Sequence, residues 1–294
     1  MTERIQVTKT HKLFIAGAFP RSESGRSAVV IDAKGKVAAH LCRASRKDVR
    51  DAVTAAAKAQ PSWAERAAYN RSQILYRMAE MLEGGGGKAD EFAQTIKQTT
   101  NADLRAARKQ VAASIDRLVA FAGWADKFSQ VLGCHNPIAG PYYNFTVPEA
   151  TGVVAVVGPD EPSLLGLISL IAPALCAGNT IVALASRAEP ITACLLGEVC
   201  ATSDVPGGVV NILTGDRAEL IDWIATHREV GAIHAGGLNE DEAKSVRLGC
   251  ADNMKRVTLR DLDADDWYDD AACESPWWIE PFVEMKTIWH PASA

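Results

Sequence analysis

The feature that most constrains this chain is a beat of strand and helix running from Gly152 to Leu259. "GVVAVVG" reads as a strand, "SLLGLISLIAPALCAG" as a helix, "NTIVALAS" as a strand and "PITACLLGEVCATS" as a helix. "GVVNILTG", "RAELIDWIATH", "GAIHAGG", "NEDEAKSVRLGCA" and "MKRVTL" continue the alternation. The strands are apolar throughout, as strands covered on both faces must be, and the connections between elements are short. Strands that alternate with helices in this way build a doubly wound sheet. The expected fold class is therefore α/β, a parallel Rossmann-like sheet with N-terminal helices and a β-arm. The helix that starts at Ser163 is apolar on every side and belongs in the interior.

Ahead of this core, "KLFIAGAF" and "SAVVIDAKGKVAAHL" read as short strands around turns, with Lys34-Gly35 at a hairpin tip. From Ser45 the apolar period becomes helical, with Ser45 as the N-cap and Pro61 as the closing residue. "AAYNRSQILYRMAEMLE", "KADEFAQTIKQT" and "ADLRAARKQVAASIDRLVAFAGWADKF" are further helices. The run Gly84 to Gly87 reads as a loop, because each Gly costs roughly 1 kcal/mol relative to Ala in a helix. After Gly140, "PYYNFTVPEAT" is an alternating strand of some exposure. The rhythm breaks after Leu259, where Asp261, Asp263, Asp265, Asp266, Asp269 and Asp270 read as a solvated connector. Beyond it, "WWIEPFVEMKTIWH" places Val283, Met285, Thr287 and Trp289 on one face of a strand, with Phe282, Glu284, Lys286 and Ile288 on the other. Such a strand needs a partner, either "YYNFTV" or another subunit. The expected organisation is an N-terminal layer over residues 1–140, a Rossmann-like core over 151–260, and an acidic connector over 261–273. Arm strands complete it over 141–150 and 274–294.

Hydrophobic content of 48% and charged content of 23% are those of a soluble globular protein, in one large domain or two smaller ones. A net charge of -5 with interspersed signs gives no basis for a nucleic-acid partner. No run reaches membrane-spanning length, and "MTERIQVTKTHKLF" lacks the apolar core of a signal peptide, so a cytoplasmic protein with no membrane partner is expected. The cysteines (Cys42, Cys134, Cys176, Cys194, Cys200, Cys250, Cys273) are scattered and form no CxxC pair, which argues against zinc and fits a reducing compartment.

The order of segments resembles the aldehyde dehydrogenase superfamily. The matching pieces are "KLFIAGAFPRSESG", "FAGWADK", "VPEATGVVAVVGP", "APALCAGNTIVALAS", "VPGGVVNILTG", "MKRVTL" and "FVEMKTIW", which span nearly the whole chain in the family's order. The resemblance implies an NAD-binding domain, a catalytic domain inserted near its end, and an oligomerisation arm. This chain passes from the first to the last through "DLDADDWYDDAACES", so the catalytic domain is expected to be absent. Its shape is similar to the degenerate second module that some two-module aldehyde dehydrogenases carry.

The same resemblance implies no catalytic residues. No Gly-Gln-x-Cys context holds a nucleophile, and the acidic surroundings of Cys273 are expected to raise a thiol pKa. Arg260 to Asp263 replace the family's Glu-Leu-Gly-Gly, so the general base is lost. In Pro159-Asp160-Glu161-Pro162-Ser163, Glu161 stands where the family has an oxyanion-stabilising Asn. For the cofactor, Leu184 and Arg187 fall on the ribose-binding Lys and Glu, and Asp216 and Arg217 on a glycine-rich approach. Gly237 remains from a Gly-Ser turn whose Ser is Leu238. The vestigial cofactor positions are therefore Pro159, Glu161, Leu184, Arg187, Gly215 and Gly237; no cofactor is expected, with NAD as the alternative. Arg187 reads as an exposed structural residue or as a contact for another anion. His234 reads as a core histidine, and Cys134-His135 as a loop pair without catalytic meaning. Tyr142, Tyr143, Phe145, Trp277, Trp278, Phe282, Val283, Met285, Ile288 and Trp289 are expected to form an interface. The partner would be a second copy in a homodimer, a full-length aldehyde dehydrogenase, or both. The expected role is that of a scaffold or regulatory subunit; the alternatives are an NAD-dependent dehydrogenase and a small-ligand module using the crevice around Pro159 to Ser163.

Overall fold

The computed structural model describes residues 7–84 and 87–292. The first residues of "MTERIQVTKTHKLF" and the middle of the "GGGG" run lie outside them. The chain begins with β1 (Thr10–His11), β2 (Ser27–Ile31) and β3 (Val37–Cys42), which form a small sheet in the order β1-β3-β2. The β2–β3 hairpin turns at Lys34-Gly35, as the sequence indicates, with Gly35 at φ 78°. "KLFIAGAF" makes no regular strand. Phe14 bridges Ile212 and Ile15 bridges Ala18 around a tight turn.

A helical layer follows: α1 (Arg46–Ala64), α2 (Ala68–Glu83), α3 (Lys88–Thr99), α4 (Leu104–Trp124) and α5 (Phe128–Leu132). Ser45 caps α1 in a full capping box with Asp48. Pro61 does not close this helix, which continues to Ala64. The Pro ring is exposed, so it costs one hydrogen bond and no buried clash. Trp63 holds the last turn in place: it is buried, and its Nε1–H donates to the Leu175 carbonyl at 3.3 Å.

The next strands are β4 (Cys134–His135), β5 (Tyr142–Ala150) and β6 (Val153–Val157). They are followed by α6 (Ser163–Cys176), β7 (Thr180–Leu184), α7 (Ile191–Thr202), β8 (Val210–Leu213), α8 (Arg217–Thr226), β9 (Val230–Gly236), α9 (Glu240–Ala251) and β10 (Arg256–Arg260). The five core strands are parallel in the order β10-β9-β6-β7-β8, a doubly wound sheet whose order reverses between β6 and β9. Period two in β6 sends Val153, Ala155 and Val157 to the face covered by α1, α8 and α9. It sends Val154 and Val156 to the face covered by α2, α4, α6 and α7. Every residue of α6 is buried, as its uniform apolarity requires.

The chain then runs through two 3-10 turns, Asp266–Tyr268 and Pro276–Trp278, either side of the short α10 (Asp270–Cys273), and a further turn, Glu280–Phe282, into β11 (Val283–Pro291). β11 pairs antiparallel with β5 in the sheet β11-β5-β4, so "YYNFTV" is its partner within the same chain. Cys134-His135 proves to be the short third strand of this sheet rather than a loop. The connector is also less solvated than its charge implies. Its acids face water, but Trp267 and Cys273 are buried and pin it to α4 and α6.

Candidate functional site

A doubly wound fold offers its ligand the crevice beyond the carboxyl ends of the strands, where the order reverses. Here that point lies between Gly158, after β6, and Gly237, after β9. A guanidinium stands in it. Arg217, the first residue of α8, is 0% exposed and donates through Nη2 to the Gly158 carbonyl at 2.7 Å and through Nη1 to the Gly237 carbonyl at 3.2 Å. Its charge faces Asp160 and Glu242, each at 3.4 Å. Arg187 closes the cluster from outside, with Nη2 at 2.7 Å from Asp160 and Nη1 at 3.7 Å from Glu242. Burial works to raise the Asp160 pKa, but hydrogen bonds from Arg187 and the charges of Arg187 and Arg217 hold it below the ordinary carboxylate value.

The vestigial positions separate into three groups. Pro159, Gly237 and Arg187 do meet around this cluster, Arg187 as a paired surface cation. Leu184 points into the core and is wholly buried, while Glu161 lies on the exposed side of its loop. Gly215 lines a different cleft of about 410 Å³, shared with Val29, Ile31, Arg43 and Arg187. Arg217 was legible only as a departure at a glycine-rich position, because nothing local announces that a helix-initial side chain turns inward.

Arg260, at the end of β10, has its guanidinium carbon over the Trp278 ring at 3.9 Å from the centroid and donates through Nε to His234 Nε2 at 3.1 Å. His234 is buried, and its Nδ1–H donates to the Leu170 carbonyl at 2.9 Å. It is a satisfied core histidine: burial, then the Arg260 charge, push its pKa well below the ordinary value. Cys273 sits behind the connector, its thiol directed at the Asp266 carbonyl. Burial is the main cause of its raised pKa, ahead of the acidic neighbours the sequence pointed to, and Arg117 opposes the shift. Glu189 is a further buried acid that sequence reasoning passed over. It caps α7, accepting from the Ile191 and Thr192 amides and from the Ser163 and Thr192 hydroxyls, and burial raises its pKa against those donors. Among the described residues no group of His, Cys, Asp or Glu is arranged to hold a metal ion, and no helix is long and apolar enough to cross a membrane.

The arm sheet presents the remaining candidate surface. Tyr142, Tyr143, Met285, Trp277 and Trp289 are exposed, and Phe145 and Ile288 are partly so. Trp278, Phe282 and Val283 depart from the expected interface. They are 6%, 0% and 1% exposed and belong to the chain's own core, because Phe282 and Trp278 pack on the His234 ring.

The fold and crevice define a doubly wound α/β protein carrying a separate three-stranded arm. A profile of the aldehyde dehydrogenase family matches residues 19–260. The chain belongs to that family. It is 31% identical over 262 residues to "Aldehyde dehydrogenase family 2 member B4, mitochondrial" of Arabidopsis thaliana, covering 87% of this chain and 47% of that protein. It is 31% identical over 271 residues to "Putative aldehyde dehydrogenase DhaS" of Bacillus subtilis (strain 168), covering 87% and 52%. The aldehyde dehydrogenase of Bacillus cereus, solved as its NAD+ complex, superposes with a TM-score of 0.80 at 27% identity, over 85% of this chain and 50% of that one. The chain thus spans about half the length of the curated relatives it matches.

Proposed function

We propose that this chain is a non-catalytic aldehyde dehydrogenase-like protein of the cytoplasm, acting through its arm as a scaffold or regulatory subunit. It would form a homodimer, bind a full-length aldehyde dehydrogenase, or do both, and it would need no cofactor. The observation that carries the reading is the arm: β11 is a nine-residue edge strand, and the exposed side chains on its sheet include Tyr142, Tyr143, Met285 and Trp289. An open edge with aromatic faces is a surface that seeks a partner. The end of β10 supports the same reading from the other side, since Arg260 stands where the family resemblance expects a general-base Glu and a guanidinium cannot take a proton from water.

Truncation after Asp270 is a poor test, because it would also remove Trp278, Ile279 and Phe282 from the core. The double substitution Met285→Glu and Trp289→Glu leaves those contacts in place. Light scattering should give a multiple of the 31.5 kDa chain mass for the wild type and a single chain mass for the double variant. Co-expression with a full-length dehydrogenase gives the mixed-assembly arm of the test: co-elution should be lost with the same variant. Monomeric wild type that also fails to co-elute would end this reading. The second reading is an NAD-dependent dehydrogenase or its NAD-binding subunit, favoured by the NAD+ complex of the Bacillus cereus relative. NADH production from short aldehydes by the purified chain would bring it forward.

A further inference from the structure

We infer that the dinucleotide crevice of this chain is closed by its own side chains, Arg217 on one side of the sheet and Trp267 on the other, so that the protein takes up no nicotinamide dinucleotide. The inference goes beyond the assembly reading, which stands whether the crevice is open or shut.

A dinucleotide's pyrophosphate needs three things at the switch point of such a sheet: room for close backbone approach, free amide N–H groups at a helix N-terminus, and an absence of negative charge. The room is taken by the Arg217 guanidinium, which bridges the carbonyls of Gly158 and Gly237 with no exposure to water. At the helix ends on both sides a first-turn amide is already taken by a side chain of this protein. At α6 the Leu164 amide donates to the Gln110 side chain at 2.9 Å. At α9 the Glu242 amide donates to Asn239 Oδ1 at 2.9 Å, and the Asn239 amide donates back to the Glu242 carboxylate at 3.1 Å. The charge is also wrong. The first turn of α9 carries Glu240, Asp241 and Glu242, and the two arginines nearby are engaged by Asp160 and Glu242.

The opposite face of the same strand end is filled by the connector. A Cβ added at Gly236 would come within 3.0 Å of the Trp267 ring, so the indole occupies the place where a side chain of β9 would stand. Trp267 is 1% exposed and packs edge-on against Trp278 at 6.0 Å. Seating a dinucleotide would require Arg217 to leave both carbonyls and would set a pyrophosphate beside Asp160 and Glu242. The ion cluster thus ties the Gly158 and Gly237 turns to the starts of α8 and α9, beyond the end of the β6–β9 ladder.

Two measurements on the full chain test this. Titration with NADH followed by nicotinamide fluorescence, and with NAD+ and NADP+ by calorimetry, should show no saturable binding up to about 1 mM. One-to-one saturation with any of the three overturns the inference. In thermal melts, Arg217→Met should lower the midpoint by about 5 °C or more, or prevent folding, because it removes the donor to the Gly158 and Gly237 carbonyls and the buried one of the two cations that face Asp160 and Glu242. An unchanged midpoint overturns the claim that the guanidinium is the joint. Light scattering on the same wild-type sample separates the two proposals, since an assembled protein that binds NADH refutes only this one.

Discussion

His234 is locked neutral between the Leu170 carbonyl, the Arg260 guanidinium and the rings of Trp278 and Phe282. Its folded pKa lies well below its unfolded one, so the unfolded state binds the extra proton at low pH. The stability it confers is fully present above the unfolded value and is lost as pH falls below it. Between pH 8 and pH 5.5 the protein should therefore lose stability through this one group. Urea unfolding of wild type and His234→Gln at the two pH values checks this, and equal pH slopes would contradict it. Glu189 has the opposite sign. Its folded pKa is raised, so its contribution is full below the ordinary glutamate value and is lost as pH rises through the folded one. The stability of Glu189→Gln relative to wild type should therefore climb between pH 4.5 and pH 7, as followed by urea midpoints. Both residues were visible in the sequence, but only His234 announced itself, as a polar residue on an apolar strand. Glu189 precedes a Pro in what reads as a loop, and its burial depends on Ser163 arriving from another helix.

At the scale of elements, the connector shows how a charged run can be structural. Arg117 of α4 is 0% exposed and reaches Ser169 at 2.5 Å, the Trp267 carbonyl at 3.0 Å, Asp270 at 3.3 Å and Glu274 at 3.4 Å. Asp270, one of the acids that read as a solvated linker, holds this buried cation together with Glu274. Arg117→Met should cost about 3 kcal/mol and Trp267→Ala about 3–5 kcal/mol, both measured by denaturant unfolding. Limited proteolysis should then cut both variants within residues 261–275 before the wild type. The α/β beat was legible because each strand and helix carries its own period. Pro61 and "KLFIAGAF" misled for a related reason: local chemistry sets a preference, and the packing of Trp63 and the bridge from Phe14 to Ile212 override it.

For the whole molecule, the arm is tied to the core by hydrogen bonds. Asn179, buried between them, donates to the Phe282 carbonyl at 2.9 Å and accepts from the Gly152 amide at 2.9 Å. Arg256 of β10 donates to the Val283 carbonyl at 2.5 Å. Phe282→Ala should therefore cost about 3–5 kcal/mol in global stability, read by denaturant unfolding, where Trp289→Glu costs little because its ring is 59% exposed. Equal losses from the two would mean that the arm surface is not free. By itself the sequence determined the family, the parallel sheet, the buried α6 and the pairing potential of β11. Those follow from periodicity and segment order, which are properties of neighbouring residues. Only the tertiary structure decided that Arg217 fills the crevice, that Trp267 docks the acidic run, and that Trp278 and Phe282 serve the core. Each of those outcomes depends on groups distant in the chain meeting in space, and a buried charge or ring is set by the company it finds there rather than by its neighbours in sequence.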